Sequence, residues 1–204
     1  INTHAQHQYV ADIQNWYEDL ESVTPKTWFD ISHIPDSGPF ILKGMTNSKK
    51  FLWDTHMFAK TKRDAIDTYG RLMDDTFVSQ QPVYVREYVP LKQLAVSAHG
   101  LPISVEFRFF VCYGKVVSKA FYWSSFSEDV EVPDINIVPD DFISDVISRV
   151  GDNINFFVVD VALTSDNKWI VIELNDGQMS GLSDNDSLIL YKNLASIIDS
   201  VGRF

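Results

Sequence analysis

The chain has 204 residues, of which 45% are hydrophobic and 13% aromatic, so it can build the core of one large domain or of two small lobes. Its 28 acidic and 17 basic residues give a net charge of −11 without any block rich in Lys and Arg, which argues against nucleic-acid partners. No apolar run is long enough to cross a membrane, and the start lacks the pattern of a secretory leader. We therefore expect a cytoplasmic protein without membrane partners. The single cysteine, Cys112, lies in an apolar run and is expected to be a buried thiol.

The first part of the chain predicts two helices with a strand between them. Apolar residues at helical spacing predict a helix over 9–20. The segment 38–44, GPFILKG, is typical of a short strand bounded by glycines, and the polar residues after it are typical of a loop. The second helix is predicted within 61–78, with Thr61 as its N-cap three residues before Asp64.

The second part of the chain predicts mainly strands. Alternating and apolar runs predict strands at 83–89, 104–114, 115–124, 156–163 and 168–174. The strands 104–114 and 115–124 form a predicted hairpin that turns at 113–114. Helices are predicted at 140–150 and 187–203, and the acidic stretch 125–139 with its two prolines is predicted to be a loop.

The turn between the last two predicted strands brings two acidic residues face to face. Asp166 and Asn167 favour a two-residue hairpin turn, because both residue types tolerate positive φ. Pairing around such a turn places Asp160 directly opposite Glu173, with Cβ atoms about 5 Å apart on one face of the sheet. Asn175 lies two residues beyond Glu173 and therefore points to the same face.

This pair of acids requires a positive charge beside it. Like charges opposite each other destabilise a sheet unless a proton or a cation lies between them. Two carboxylates and one amide supply only oxygen ligands, which suit a hard cation such as Mg²⁺ that also keeps water and phosphate ligands. The alternative is a turn one residue longer, which would shift the register and leave one acid facing solvent.

The segment 160–177, DVALTSDNKWIVIELNDG, resembles the metal-binding end of the ATP-grasp superfamily. The resemblance implies an α+β ATP-grasp fold, in which two α/β lobes with antiparallel sheets clamp a nucleotide between them. It implies that Asp160, Glu173 and Asn175 hold Mg²⁺, or Mn²⁺ in its place, against the phosphates of ATP.

Shorter motifs extend the resemblance over about residues 23–182, and their pattern is similar to that of a compact ATP-grasp branch of phages and bacteria. They divide the chain into an N-terminal helical extension (1–22), an N-terminal lobe (23–85) and a C-terminal lobe (86–204). Most ligases of the superfamily carry a further α/β domain before this region. Since none precedes residue 23, we expect a homo-oligomer or a partner protein to replace it.

The resemblance assigns nucleotide contacts in the first lobe and in the linker between the lobes. Lys43 would reach the phosphates, and Ser48 and Lys49 in the following loop would cover them. The residues implied to bind adenine are Glu87, Tyr88 and Val89. An exposed strand-end lysine is the alternative for Lys43, and the solvent face of an edge strand is the alternative for Arg86 and Glu87.

Glu106 and Arg108 lie on one face of their predicted strand by alternation. The resemblance implies that Glu106 binds the ribose and that Arg108 faces the γ-phosphate, where a planar and permanently charged group is useful. A simple Glu–Arg surface pair is the alternative.

The turn after the metal-binding strand resembles the one that presents backbone N–H groups to the acceptor. It makes Gln178, Ser180 and Gly181 candidate substrate contacts, and a helix-entry turn is the alternative. The implied reaction joins a small-molecule or peptide carboxylate to an amine or thiol through an acyl-phosphate, with Lys43 and Arg108 as catalytic cations. A phosphotransferase and a non-catalytic nucleotide-binding domain are the alternatives.

Overall fold

The computed structural model describes residues 1–46, 48–76, 78–98, 100–126 and 130–202, apart from the side chain of Ser125. In this part of the chain the helices are α1 (His4–Ala11), α2 (Ile13–Leu20), α3 (Lys62–Asp74), α4 (Asp140–Val150) and α5 (Ser187–Val201). The strands are β1 (Thr27–Trp28), β2 (Ser37–Gly44), β3 (Phe58–Thr61), β4 (Val83–Glu87), β5 (Gln93–Val96), β6 (Pro102–Ser104), β7 (Glu106–Cys112), β8 (Lys115–Phe121), β9 (Phe156–Leu163) and β10 (Trp169–Asp176). No helix in these ranges is long and apolar enough to cross a bilayer.

Four antiparallel strands in the order β1-β4-β2-β3 form the first sheet. Helix α3 packs against it and starts with a capping box between Thr61 and Asp64, which confirms the predicted N-cap. The buried side chains between helix and sheet include Phe40, Leu42 and Leu72. This small core holds β2 and β4 in place, and both strands carry residues of the site.

The second sheet has the antiparallel order β10-β9-β7-β8. One of its faces is apolar and forms the main core with side chains of α2 and α4. The opposite face is apolar at one end, where Phe110 and Val158 pack against Leu190 and Leu194 of α5. The other end of that face carries Glu106, Arg108 and Asp160. The sheet therefore presents buried charges in one region only.

The turn between β9 and β10 is one residue longer than predicted, and a bulge restores the expected pairing. The Thr164 N–H donates to Lys168 O at 2.8 Å, so the turn consists of residues 165–167 and the predicted two-residue turn is wrong. Asn167 adopts a φ of 61° within it. A bulge between Val171 and Glu173 adds one residue to β10, and Glu173 pairs with Asp160 as predicted.

The N-terminal segment forms two helices instead of the single one predicted over 9–20. Asp12 ends α1 and caps α2, since its carboxylate accepts a hydrogen bond from the Gln14 N–H at 3.0 Å. Val10 and Trp16 are buried in the main core. The residues predicted to be an N-terminal extension therefore pack against the second sheet.

Most other predicted elements occur with shifted ends. Helix α4 has the predicted bounds, and the hairpin of β7 and β8 turns at Tyr113 and Gly114, both with positive φ. The predicted strand 104–114 is divided, because residues 102–104 pair with β5 and β7 begins at Glu106. Within the predicted loop 125–139, residues 127–129 lie outside the described residues. The α+β class with antiparallel sheets is confirmed.

The first sheet continues to Glu87, two residues beyond the predicted lobe boundary at 85/86. β4 also lies between β1 and β2, so it is not an edge strand. Arg86 is buried, which excludes the alternative that it faces solvent, whereas Glu87 is exposed. The division of the chain into lobes remains a prediction.

Candidate functional site

A cleft lies between the two sheets. Strand β2, the loop after it and the linker after β4 form one wall, and the second sheet forms the other. The candidate residues that line this cleft are Lys43, Ser48, Glu87, Tyr88, Val89, Glu106 and Glu173. The fold thus brings residues that are up to 130 positions apart in sequence to one cavity.

Apolar and aromatic side chains line the cleft beside the linker. Trp53, Met57 and Leu101 belong to this part of the lining. Tyr88 packs edge-on against Phe58, with ring centroids 5.0 Å apart. A flat aromatic ligand fits such a surface, because stacking on apolar and aromatic side chains does not depend on its hydrogen-bonding pattern.

Two backbone N–H groups of the linker are already engaged. The Glu87 N–H donates to Lys26 O at 2.8 Å, and the Tyr88 N–H donates to Pro39 O at 3.1 Å. These bonds fix the path of the linker at the side of the cleft. A bound base would therefore be met by other backbone groups of residues 87–89.

Arg108 and Asp160 form a buried bidentate ion pair on paired positions of β7 and β9. Arg108 Nε and Nη2 donate to the two carboxylate oxygens of Asp160 at 2.8 and 2.7 Å. Burial raises the pKa of Asp160, although the hydrogen bonds and charge of Arg108 act in the opposite direction. The alternative of a Glu106–Arg108 surface pair is excluded, since both side chains are buried and Arg108 binds Asp160.

Glu173 is paired with a lysine from the other lobe. Lys43 Nζ donates to Glu173 Oε1 across the cleft. Burial alone would raise the pKa of Glu173, but the charge and hydrogen bond of Lys43 outweigh it and lower that pKa to about 2. The positive charges expected beside the two facing acids are thus side chains of the chain itself, and the exposed strand-end alternative for Lys43 is wrong.

The donor set at the end of β10 fits a hard divalent cation. Asp160 and Glu173 are paired on adjacent strands, and Asn175 follows on the same face of β10. Among the described residues, no group of three His, Cys, Asp or Glu side chains could hold a metal, so such a site needs the Asn175 amide and ligand oxygens. Glu173 stays ionised at neutral pH, and each carboxylate oxygen keeps lone pairs beyond its present hydrogen bond.

Lys50 is a cleft residue that the sequence analysis did not identify. Its ammonium group donates to Tyr122 Oη and lies 4.2 Å from the Tyr122 ring centre and 4.9 Å from that of Trp123. Burial lowers the pKa of Lys50, but Tyr122 and Glu106 outweigh that effect and raise it above its usual value. Lys50 is therefore charged inside the cleft.

The preceding lysine points elsewhere. Lys49 Nζ lies 2.6 Å from an oxygen of Asp75 and is not part of the cleft lining, whereas Ser48 lines the cleft. No sequence signal separates Lys49 from Lys50, because the loop has neither strand nor α-helical periodicity. It runs through a 3₁₀ turn (Lys50–Leu52) and a π-helical turn (Trp53–Met57), and Asn47 lies outside the described residues.

Glu106 is a buried carboxylate of the cleft. It is 3% exposed, and its Oε2 accepts a hydrogen bond from Ser104 Oγ at 3.4 Å. Burial raises its pKa to about 7, while the nearby charge of Lys50 limits the rise. Glu106 therefore exists in both protonation states near neutral pH.

Arg86 links the lobes beneath the cleft and was also missed as a site residue. Its guanidinium donates to Ile172 O at 2.5 Å and to Thr24 Oγ1 at 2.7 Å. Burial lowers the pKa of Arg86 to about 10, so it remains charged at neutral pH. Arg86 lies on a strand with neighbours on both sides, which is consistent with its burial. Its partner, the Ile172 carbonyl at the β10 bulge, could not be predicted from the sequence.

The three predicted acceptor residues lie together in the turn after β10, outside the cleft lining. Gln178 is exposed, and its Oε1 accepts a hydrogen bond from the Asn2 N–H at 2.8 Å. Ser180 Oγ donates to Asp176 O, and Gly181 O accepts from Arg108 Nη1, both at 2.8 Å. The turn is therefore connected to the Arg108–Asp160 pair.

The charges of the cleft are more evenly balanced than those of the whole molecule. The lining carries as many cations, Lys43, Lys50 and Arg86, as carboxylates, Glu87, Glu106 and Glu173. Since the net charge of the chain is −11, this region holds a larger share of positive charge than the rest of the protein. These cations can bind an anionic ligand in the cleft.

Comparisons with solved structures identify the fold. PsnB, an ATP-grasp ligase in complex with a phosphomimetic variant of its minimal precursor, Mg and ADP, superposes with a TM-score of 0.60 at 15% identity, covering 97% of this chain and 60% of PsnB. C-terminally truncated Cdc123 from Schizosaccharomyces pombe gives a TM-score of 0.54 at 18% identity over 94% of this chain and 91% of Cdc123. An L-amino acid ligase from Bacillus licheniformis gives 0.52 at 11% identity over 84% of this chain and 41% of the ligase.

At these identities the structural likeness establishes the fold alone, and the chain spans about 60% of the length of PsnB. No curated protein sequence matches the chain. The model of one sequence family, described as an ATP-grasp domain of clade family 3, matches residues 16–194. Because that match covers most of the chain, this protein belongs to that family of ATP-grasp domains.

Proposed function

We propose that this protein is an ATP- and Mg²⁺-dependent ligase that joins a carboxylate to an amine or thiol through an acyl-phosphate. The observation that carries the proposal is the row of paired charges across the second sheet. Arg108 holds Asp160, Lys43 holds Glu173, and Asn175 follows on the same face. This is a set of cations and oxygen donors suited to a metal-bound polyphosphate.

In this proposal the nucleotide lies along the cleft. The adenine stacks in the apolar part beside Tyr88, and Glu106 accepts hydrogen bonds from the ribose. Ser48, Lys43 and Lys50 contact the phosphates, with Lys50 taking the place expected for Lys49. Asp160, Glu173 and Asn175 hold Mg²⁺, or Mn²⁺ in its place. When bound, the metal ion neutralises phosphate charge during transfer.

The reaction proceeds in two balanced steps. A carboxylate oxygen of the first substrate attacks the γ-phosphorus, and the bond between that phosphorus and the ADP oxygen breaks. The amine or thiol then attacks the acyl carbon, phosphate leaves with the attacking oxygen, and the amine or thiol loses a proton. Lys43 and Arg108 stabilise the charge on the transferring group, because their ion pairs with Glu173 and Asp160 hold both cations beside the metal site.

The acceptor is proposed to be a peptide or an amino acid bound at the turn of Gln178, Ser180 and Gly181. Two of the structural neighbours support this class, since PsnB is complexed with a precursor and another is an L-amino acid ligase. The chain spans only part of these proteins. We also propose that a second copy or a partner protein contributes to the substrate surface.

The decisive measurement is release of ADP and phosphate in the presence of Mg²⁺ with pools of carboxylates, of amines and peptides, and of both. The ligase releases ADP and phosphate only with both pools, and a carboxylate labelled with ¹⁸O transfers one label to the phosphate. Glu173→Gln is the background control, because it removes a metal ligand and the partner of Lys43.

Two results would overturn the ligase. ADP formed together with a stable phosphorylated product from one pool would identify a phosphotransferase instead. Saturable binding of Mg·ATP without any turnover would identify a nucleotide-binding domain.

A further inference from the structure

Asp176, the last residue of β10, is held by side chains from the start of the chain. It is 4% exposed, and His7 Nδ1 lies 2.9 Å from its Oδ2. Its Oδ1 accepts from Asn2 Nδ2 at 3.0 Å and from the Gln178 N–H at 2.8 Å. A buried carboxylate depends on such donors, because an unsatisfied charge is costly to bury.

Asn2 also binds the neighbouring strand β9. Its side-chain oxygen accepts from the Phe156 N–H at 2.8 Å, and its Nδ2 donates to Phe156 O at 2.6 Å. The next residue after Asp176 packs closely here, since a Cβ on Gly177 would lie 2.8 Å from the Phe156 ring. The start of the turn is therefore fixed against β9 at short range.

The same turn is fixed at its other end by the charged row of the site. Ser180 Oγ donates to Asp176 O, and Arg108, which binds Asp160, donates to Gly181 O. Hydrogen bonds from Asn2 and His7 therefore hold the start of the turn 177–181, and a hydrogen bond from Arg108 holds its end. Asn2 and His7 lie outside the residues 16–194 that match the family.

We infer that Asn2 and His7 are positioning residues that hold Asp176 and, through it, the acceptor-binding turn 177–181. The inference rests on the proposed function, which assigns the acceptor to that turn. Loss of either side chain leaves Asp176 with fewer donors and frees the turn to move. The nucleotide contacts change less than the acceptor contacts, because Lys43, Lys50 and Glu173 take no part in this set of hydrogen bonds and Arg108 lies at its far end.

The test compares three variants of helix α1 in the full chain. His7→Leu removes the donor to Asp176, and His7→Asn retains an N–H donor near the position of Nδ1. His4→Leu is the matched control, because His4 is exposed on the same helix. The readouts are amide hydrogen exchange of residues 177–179 and the KM values for the acceptor and for ATP.

In His7→Leu we expect exchange of these amides to rise about ten-fold and the KM for the acceptor to rise by a similar factor. In the same variant the KM for ATP should stay within about two-fold of wild type. In His7→Asn both the amide exchange and the acceptor KM should return most of the way to wild-type values, and His4→Leu should change neither. Unchanged exchange in His7→Leu, or faster exchange with an unchanged acceptor KM, would overturn the positioning role. A wild-type protein that forms no product with any acceptor would overturn the proposed function itself and the inference with it.

Discussion

At the scale of single residues, two adjacent lysines of the same loop differ in their surroundings. Lys50 lies over the rings of Tyr122 and Trp123 inside the cleft, and Lys49 pairs with Asp75 outside it. Their charges are identical, so only the path of the backbone determines which of them meets a ligand.

Replacing each of these lysines separately tests this assignment. Lys50→Met should raise the Kd for Mg·ATP by about ten- to hundred-fold, because a charged contact to phosphate is lost from a buried position. Lys49→Met removes the same charge from outside the cleft and should change that Kd by less than about two-fold. Calorimetric titration measures both values, and equal effects of the two variants would contradict the assignment.

Glu106 should make the stability of the nucleotide-free protein depend on pH. Its pKa is about 7 in the folded protein against an ordinary value of 4.5, so the folded state binds this proton more tightly than the unfolded chain does. The free energy of unfolding therefore falls as pH rises from 4.5 through 7. In Glu106→Gln this fall should be smaller by about 3 kcal/mol at most.

Urea unfolding at several pH values between about 5 and 8 measures the difference. Glu18→Gln, at an exposed position of α2, is the control for the loss of one carboxylate. Parallel pH profiles of Glu106→Gln and wild type would show that Glu106 does not titrate in this range.

At the scale of elements, the β9–β10 hairpin reaches its predicted pairing by two changes that compensate. The turn contains one residue more than predicted. The bulge before Glu173 inserts one further residue into β10, and this insertion returns Glu173 to its position opposite Asp160. The bulge carbonyl of Ile172 accepts from Arg86, so the irregular position is used to connect the lobes. Alternation of apolar residues predicts the face of each acid but says nothing about an inserted residue.

The turn itself gives a prediction about stability. Asn167 has a φ of 61°, which costs a β-branched residue about 1–2 kcal/mol and costs glycine almost nothing. Asn167→Val should therefore lower the free energy of unfolding by about that amount, and Asn167→Gly should leave it nearly unchanged. Denaturant unfolding measures both, and equal destabilisation by Val and Gly would exclude the left-handed conformation.

At the scale of the whole molecule, the acidic surface and the cations of the cleft act in opposite directions on an anionic ligand. The net charge of −11 repels a nucleotide at long range, whereas the lysines and arginines of the cleft attract it at short range. Salt screens both interactions, but the contacts inside the cleft lie well within the screening length and dominate the affinity.

We therefore expect weaker nucleotide binding at high ionic strength. The Kd for Mg·ATP should rise about ten-fold as the salt concentration increases from about 0.05 M to about 0.5 M. Sucrose at matched osmolality is the control, because it changes water activity without screening charge. A Kd that is independent of salt would mean that the cleft cations contribute little to binding.

The sequence by itself determined the class of the fold and the group of acids at its centre. Alternation along a strand is a property of the local backbone, so it correctly predicted the shared face of Glu106 with Arg108 and of Glu173 with Asn175. Local hydrogen bonds likewise fixed the N-cap of α3 at Thr61.

The tertiary structure alone decided which cation meets which acid. Lys43 binds Glu173, Arg108 binds Asp160, and Lys50 turns into the cleft in place of Lys49. It also decided that the N-terminal helices pack into the main core beside the second sheet. These contacts join residues that are far apart along the chain, and their geometry depends on loop paths and on a bulge that no local periodicity encodes.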